Sequence, residues 1–228
     1  MEEHSLIISH NDHDHVVDIT VAPIREKNGE IKGCVLVAHD VTELHNMTRK
    51  LDYQASHDDL TGLINRREFE KRLSQTLDNA RVDNQQHALV YMDMDNFKIV
   101  NDSCGHLAGD ELLKQFCSVI KVHVRNTDTF ARLGGDEFAI LLTGCPIEQA
   151  KNIATDIQNR LQGFRFQWND RSFEIGVSMG ITVIDHDTGS TTEVLNNADT
   201  ACYVAKNAGR NLVRIYNDND VVLQPVSY

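Results

Sequence analysis

The residues Arg132-Leu133-Gly134-Gly135-Asp136-Glu137-Phe138 constrain this chain more than any others. Two adjacent glycines lie between the apolar runs 129–133 and 138–142, so the chain reverses there. Gly-Gly supplies the positive φ angles of a tight β-hairpin turn. Two adjacent carboxylates then sit at the tip and repel each other. Two readings fit them: a solvated turn, where Gly and Asp are common anyway, or a place where a cation is expected.

Composition narrows the partners. Hydrophobic residues make up 41% and charged residues 25% of 228, as in a soluble globular protein of one ordinary domain plus extra elements. A net charge of -12 argues against a nucleic-acid polymer or an anionic membrane as the main partner. It leaves room for a small nucleotide whose phosphates are neutralised locally by divalent cations and a few Lys or Arg residues. No apolar run approaches the ~20 residues that span a bilayer, and Met1 opens no signal-peptide pattern. Cys34, Cys104, Cys117, Cys145 and Cys202 are scattered without Cys-x-x-Cys spacing, which fits a reducing cytoplasm.

Near the start, residues 16–24 alternate apolar and polar as a half-buried strand does, Asn28-Gly29 signals a turn, and 33–39 forms a second strand. Two or three strands do not build an independent core, so this segment reads as the end of a domain. It resembles the last strands of a PAS sensor domain, including the closing Asp40-Val41-Thr42-Glu43. His10, His13 and His15 stand in an acidic stretch that reads either as a solvated terminus or as a transition-metal site. Residues 41–56 form a connecting helix with Thr42 as N-cap. Val41, Leu44, Thr48, Leu51 and Ala55 recur at spacings of three and four, which suits a dimerising seam or a helix packed on its own domain.

Beyond it, Asn65 caps a helix running to about residue 80, and the strand 88–92 ends in Asp93-Met94-Asp95. A long helix occupies 109–124, followed by the Gly-Gly hairpin and a helix over 146–161 with Pro146 in its first turn. A second hairpin turns at Asn169-Asp170, joining 164–168 to 172–184. A last helix, 192–208, stops at Gly209 before a strand over 212–216. Helices alternating with a mainly antiparallel sheet make this α+β, with a ferredoxin-like, palm-type centre.

Asp93 ends a buried strand and Asp136 sits at another sheet-edge turn. Brought within about 4 Å, they would repel by roughly 4 kcal/mol at an effective dielectric of 20, which rivals the net stability of a domain. Either they lie apart in water or a hard cation sits between them. Oxygen ligands without Cys or His suit Mg²⁺ or Mn²⁺, and Mg²⁺ held by carboxylates plus phosphates implies a nucleotide. Residues 96–110 supply Lys98 for a phosphate, backbone amides at a helix start, and the pair Asn101 and Asp110. That pair complements a guanine edge; singly, each also reads as a helix cap.

Together these segments resemble the GGDEF family of diguanylate cyclases over about residues 50–217. The likeness is carried by Asp59-x-Thr61-Gly62-Leu63-x-Asn65-Arg66, by Asp93-x-Asp95-x-Phe97-Lys98-x-x-Asn101-Asp102-x-x-Gly105-His106-x-x-Gly109-Asp110, by Gly134-Gly135-Asp136-Glu137-Phe138 and by Ala205-Lys206-x-x-Gly209-Arg210-Asn211. The resemblance implies that Asp93, Asp136 and the Met94 carbonyl hold two divalent ions per GTP, Mg²⁺ or Mn²⁺. Asn101 and Asp110 then recognise guanine, while Phe97 (through its backbone), Lys98, Lys206 and Arg210 hold the triphosphate. Glu137 activates the attacking 3′-hydroxyl or binds the second ion. Arg125-x-x-Asp128, five residues before the Gly-Gly turn, would be an inhibitory site for the product.

The implied reaction joins two GTP into cyclic di-GMP and two pyrophosphates, between two domains facing each other as a homodimer. The alternative is a non-catalytic GTP- or cyclic-di-GMP-binding module of a larger sensor or phosphodiesterase. The expected organisation is a PAS-like fragment over 1–43, a linker helix over 44–57, the GGDEF domain over 58–217 and a tail over 218–228 leading toward a possible further domain.

Overall fold

The computed structural model describes residues 2–10 and 13–218, apart from the side chains of 2–5, 7–10, 13 and 14. The imidazoles of His10 and His13, and the tail 219–228, lie outside the described residues. The chain divides into two compact units, Met1–Ala55 and Ser56–Tyr228.

The first unit is an antiparallel sheet of β1 (Glu2–His10), β2 (His13–Arg25) and β3 (Ile31–Asp40), followed by α1 (Thr42–Ser56). The sequence pattern missed β1, because its Leu6-Ile7-Ile8 run shows no alternation. Thr42 is not the cap expected of it. Its hydroxyl takes the Val16 N–H at 2.9 Å, and Asp40 accepts the Thr42 N–H at 3.0 Å and its hydroxyl at 2.6 Å. Those bonds, with His15 at 3.0 Å, hold the Asp40 carboxyl down at about 2. No residue of α1 is buried, and Leu44 and Leu51 of the seam are each 65% exposed.

The second unit carries β4 (Ile64–Asn65), α2 (Arg66–Asp83), β5 (His87–Asp95), α3 (Phe97–Cys104), α4 (His106–Lys121), β6 (Thr129–Gly134), β7 (Glu137–Leu142), α5 (Ile147–Gln162), β8 (Arg165–Trp168), β9 (Arg171–Glu174), β10 (Gly176–Ile184), α6 (Thr191–Asn207) and β11 (Val213–Ile215). Six of these strands form one sheet in the order β11-β10-β5-β7-β6-β4. The four inner strands are antiparallel, while β4 and β11, two and three residues long, run parallel to their neighbours.

Successive residues of a strand face opposite ways, and β5 is covered on both faces. Ala88, Val90, Met92 and Met94 pack with α4 and α5, whereas Leu89 and Tyr91 pack with α2 and α6. That double burial explains why β5 reads as an unbroken apolar run and why Asp93, next on the α6 side, ends beside that helix. Close approach of α6 depends on Gly180 in β10. A Cβ there would come 1.9 Å from the Ala198 carbonyl oxygen and 2.3 Å from the Cys202 nitrogen, both main-chain atoms of α6.

Asn65 caps α2 as expected, accepting the Glu68 N–H at 3.0 Å. The helix expected over 109–124 begins earlier, at His106, and is preceded by the separate α3, with Gly105 at φ +82° between them. The strand expected over 172–184 is two: β9 pairs only with β8, turning at Asn169-Asp170, and β10 starts afresh at Gly176.

Candidate active site

The β6–β7 turn forms the edge of the site. Gly134 pairs with Glu137, so the two residues at the tip are Gly135 and Asp136 rather than the two glycines, and β6 bulges between Arg132 and Gly134. Gly135 takes the left-handed φ of +52° that the turn requires. Arg132 fixes the tip: its Nε and Nη2 donate to the Gly135 carbonyl at 3.0 and 2.8 Å, and its Nη1 donates to both Asp58 oxygens at 3.1 and 3.2 Å. Asp58 also accepts the Thr61 hydroxyl at 2.6 Å and N–H at 2.9 Å. Burial alone would raise the Asp58 carboxyl, but the Thr61 bonds and Arg132 outweigh it and hold it below its ordinary value. Neither Arg132 nor Asp58 was among the residues expected from the sequence. The Asp-x-x-Thr spacing of residues 58–61 marks Asp58 as bonded to Thr61, but nothing local to it points to Arg132.

The tip is tied to the strand end by the Met94 N–H, which donates to the Asp136 carbonyl at 3.1 Å. A cleft of about 260 Å³ opens there, lined among others by Asp93, Met94, Phe97, Lys98, Asp136, Lys206 and Arg210. Asp93 stands opposite Glu137 in the β5–β7 register. Its carboxylate pairs with the Lys206 ammonium at 2.5 Å, and its side chain is only 13% exposed. Burial pushes the Asp93 carboxyl up to about 6; Lys206 pulls it down, and Asp136 and Glu137 push it up again. Burial would lower Lys206, but Asp93 overcomes this and holds the ammonium charged. At neutral pH the pair is ionised.

The sign of this shift makes a prediction. A carboxyl at 3.8 in the unfolded chain and about 6 in the folded one takes up its proton on folding between those values. Its stabilising contribution is therefore complete below pH 3.8 and is lost as pH rises through 6. Asp93→Asn is expected to stabilise the metal- and nucleotide-free protein at pH 7.5 by on the order of 2 kcal/mol, and the gain should vanish near pH 4. Denaturant unfolding at the two pH values checks this; an equal gain at both, or none, would refute it.

The remaining candidates lie on α3 and α4. Gly109 lets these helices meet: a Cβ there would come 2.1 Å from Asn101 Oδ1 and 3.2 Å from Phe97 Cζ. Asn101 Oδ1 is buried against Gly109 with no hydrogen-bond partner among the described residues. Asp110 follows Gly109 on α4, and neither Asn101 nor Asp110 lines the cleft that holds Asp93 and Asp136. Arg125 and Asp128 lie in the turn before β6. There the Arg125 main-chain N–H, rather than its guanidinium, meets Asp128 at 3.1 Å, while Thr143 N–H reaches the other oxygen of Asp128 at 3.2 Å.

Among the described residues, no three His, Cys, Asp or Glu side chains converge to hold a metal ion by themselves. The oxygen donors of the cleft, with a lysine already seated on Asp93, suit a hard cation that arrives with further oxygen ligands of its own. Among the described residues no helix is long and apolar enough to cross a membrane.

Residues 55–212 match the family profile described as "Diguanylate cyclase, GGDEF domain". The chain is 46% identical over 200 residues to the probable diguanylate cyclase DgcE of Escherichia coli K12, a match covering 88% of this chain and 18% of that protein. It is 30% identical over 205 residues to the cyclic di-GMP phosphodiesterase PdeB of Shewanella oneidensis, covering 90% of this chain and 24% of that one. The chain thus spans a quarter or less of the length of these relatives. In structure it resembles the coiled coil and GGDEF domain of DgcB from Caulobacter crescentus, solved in complex with c-di-GMP. That likeness has a TM-score of 0.73 and 27% identity, over 77% of this chain and 93% of that one.

Proposed function

Because the chain belongs to the GGDEF family of diguanylate cyclases, we propose that it condenses two GTP into cyclic di-GMP with release of two pyrophosphates. The observation that supports this most is the single cleft in which Asp93 and Asp136 face Lys98, Lys206 and Arg210. Paired acids beside clustered cations suit a metal-bound triphosphate better than either charge set alone.

In this reading Asn101 and Asp110, an amide and a carboxylate, bind guanine. The Phe97 backbone, Lys98, Lys206 and Arg210 bind the phosphates and orient the α-phosphorus for in-line attack. Asp93, the Met94 carbonyl, Asp136 and Glu137 would hold Mg²⁺ or Mn²⁺, two per GTP, which would neutralise phosphate charge. Glu137 accepts the proton of the attacking 3′-hydroxyl or serves as ligand to the second ion. Each domain holds one GTP, so turnover needs two copies facing across a twofold axis. The domain extends over 58–217 behind a linker helix at 44–57 and a PAS-like fragment at 1–43, and the protein acts in the cytoplasm.

Product bound at Arg125 and Asp128 limits the rate, since an arginine fork suits phosphate and guanine and the acid accepts guanine N–H. Arg125→Ala is expected to relieve inhibition by cyclic di-GMP, shifting its half-inhibitory concentration at least about tenfold, a loss of a charge-assisted contact. Steady-state rates with added product check this, and an unchanged half-inhibitory concentration removes Arg125 from that role.

The likeness to a phosphodiesterase favours one second reading, a GTP- or cyclic-di-GMP-binding module that regulates a larger protein without turnover. Incubating the purified chain with GTP and Mg²⁺ and identifying the products separates the two. Cyclic di-GMP and pyrophosphate support the cyclase; bound, unconverted GTP supports the module.

A further inference from the structure

The second acid of the Asp93-Met94-Asp95 run lines the same cleft as the first, but its oxygens are engaged by different partners. Asp95 is the last residue of β5, is 4% exposed, and has no cationic partner among the described residues. Its Oδ1 accepts the Ser178 hydroxyl at 2.8 Å and its Oδ2 accepts the main-chain N–H of Asn211 at 2.8 Å. A buried carboxylate compensated by hydrogen bonds alone is a costly way to stabilise a fold, so what it holds is informative.

It holds a bend. Arg210 and Asn211 stand at φ +63° and +47°, two consecutive non-glycine residues in the left-handed region, which such residues adopt only when their surroundings demand it. The Asn211 N–H is gripped by Asp95, and its carbonyl accepts Gln158 Nε2. Gly176, paired with Asp95 across the sheet, leaves the room: a Cβ there would come 2.9 Å from Asp95 Oδ2 and 3.2 Å from Asn211 Cβ. Strand β5 thus grips the end of the α6 segment twice, through Asp93 on Lys206 and through Asp95 on Asn211. Arg210 lies between these two anchors, lining the cleft.

We propose that Asp95 is a positioning residue for triphosphate recognition, fixing the left-handed bend at Arg210 and Asn211 so that Arg210 and Lys206 present their charges together. The inference rests on the GTP-binding reading above and adds to it a specificity: Asp95 acts on the phosphates and not on guanine, which Asn101 and Asp110 read from other helices.

The test is equilibrium binding of GTP and of GMP, with Mg²⁺, to the whole chain. Wild type is expected to prefer GTP. Asp95→Ala, which frees the bend that positions Arg210, should weaken GTP at least about tenfold, the scale of one lost charge-assisted contact from Arg210 to phosphate, with GMP affinity unchanged within about twofold. Asp95→Asn, whose amide oxygen can still accept the Asn211 N–H while its amide nitrogen donates to Ser178 Oγ, should restore most of the preference. Equal loss for both nucleotides, or no loss, overturns the inference while leaving the functional reading standing. A wild type that binds GTP no better than GMP overturns that reading and this inference with it. If Asp95→Ala does not fold, Gly176→Ala, which crowds the same contact with the carboxylate in place, decides by the same ratio.

Discussion

Glu137→Gln is expected to slow cyclic di-GMP formation by about 10²–10⁴-fold, the range for loss of a general base, while GTP binding changes far less. Glu137 opens β7 directly across from Asp93, and its charge helps push up Asp93 and, after burial, the Tyr91 phenol. The carboxylate therefore stands among groups that feel it. Glutamine keeps the shape and removes the charge. Single-turnover rates measured across Mg²⁺ concentrations separate the two roles proposed for this residue. A deficit that persists at saturating Mg²⁺ points to activation of the hydroxyl, and one that added Mg²⁺ repairs points to a metal ligand. Normal product formation by the variant would remove Glu137 from the mechanism.

Gly180→Ala should produce the largest loss of stability. The atoms its methyl would strike are main-chain atoms of α6, which cannot rotate away, so the helix or the strand must move. A loss of about 3 kcal/mol is expected, at the upper end for overpacking, and with it a fall in melting temperature of roughly 6–12 °C for a domain of this size. Thermal unfolding checks it; a change under about 1 kcal/mol would mean that α6 has slack not evident from its contacts. Since α6 carries Lys206, surviving protein should also bind GTP more weakly.

What could be read from the sequence follows the range over which each feature is determined. The chain reversal at residues 134–137, the Asn65 cap and the Asn169-Asp170 turn are set by neighbours a few positions apart, and all three stand in the structure, the first with Gly135-Asp136 at its tip in place of the two glycines. The acids and cations of the cleft were legible as types at particular spacings, and five of them, Asp93, Lys98, Asp136, Lys206 and Arg210, line one cleft. Helix α3 escaped because only eight residues long it offers one buried position, Val100, too few to establish a period. The division of β9 from β10 escaped because Ile175 is apolar and buried, so nothing in the pattern interrupts the run. The two clamps escaped for a different reason. Asp58 meets Arg132 from 74 positions away and Asp95 meets Asn211 from 116, distances at which no local pattern speaks.

The two outermost strands of the main sheet carry a consequence for how copies of this chain can meet. At two and three residues, β4 and β11 are too short to offer a second molecule more than a brief rim on which to extend the sheet. Two copies that cooperate as proposed above would then meet cleft to cleft in preference to edge to edge, with nucleotide filling the gap. Such an encounter would separate once its contents are joined and released, and a lasting partnership would have to be supplied by some other part of the protein.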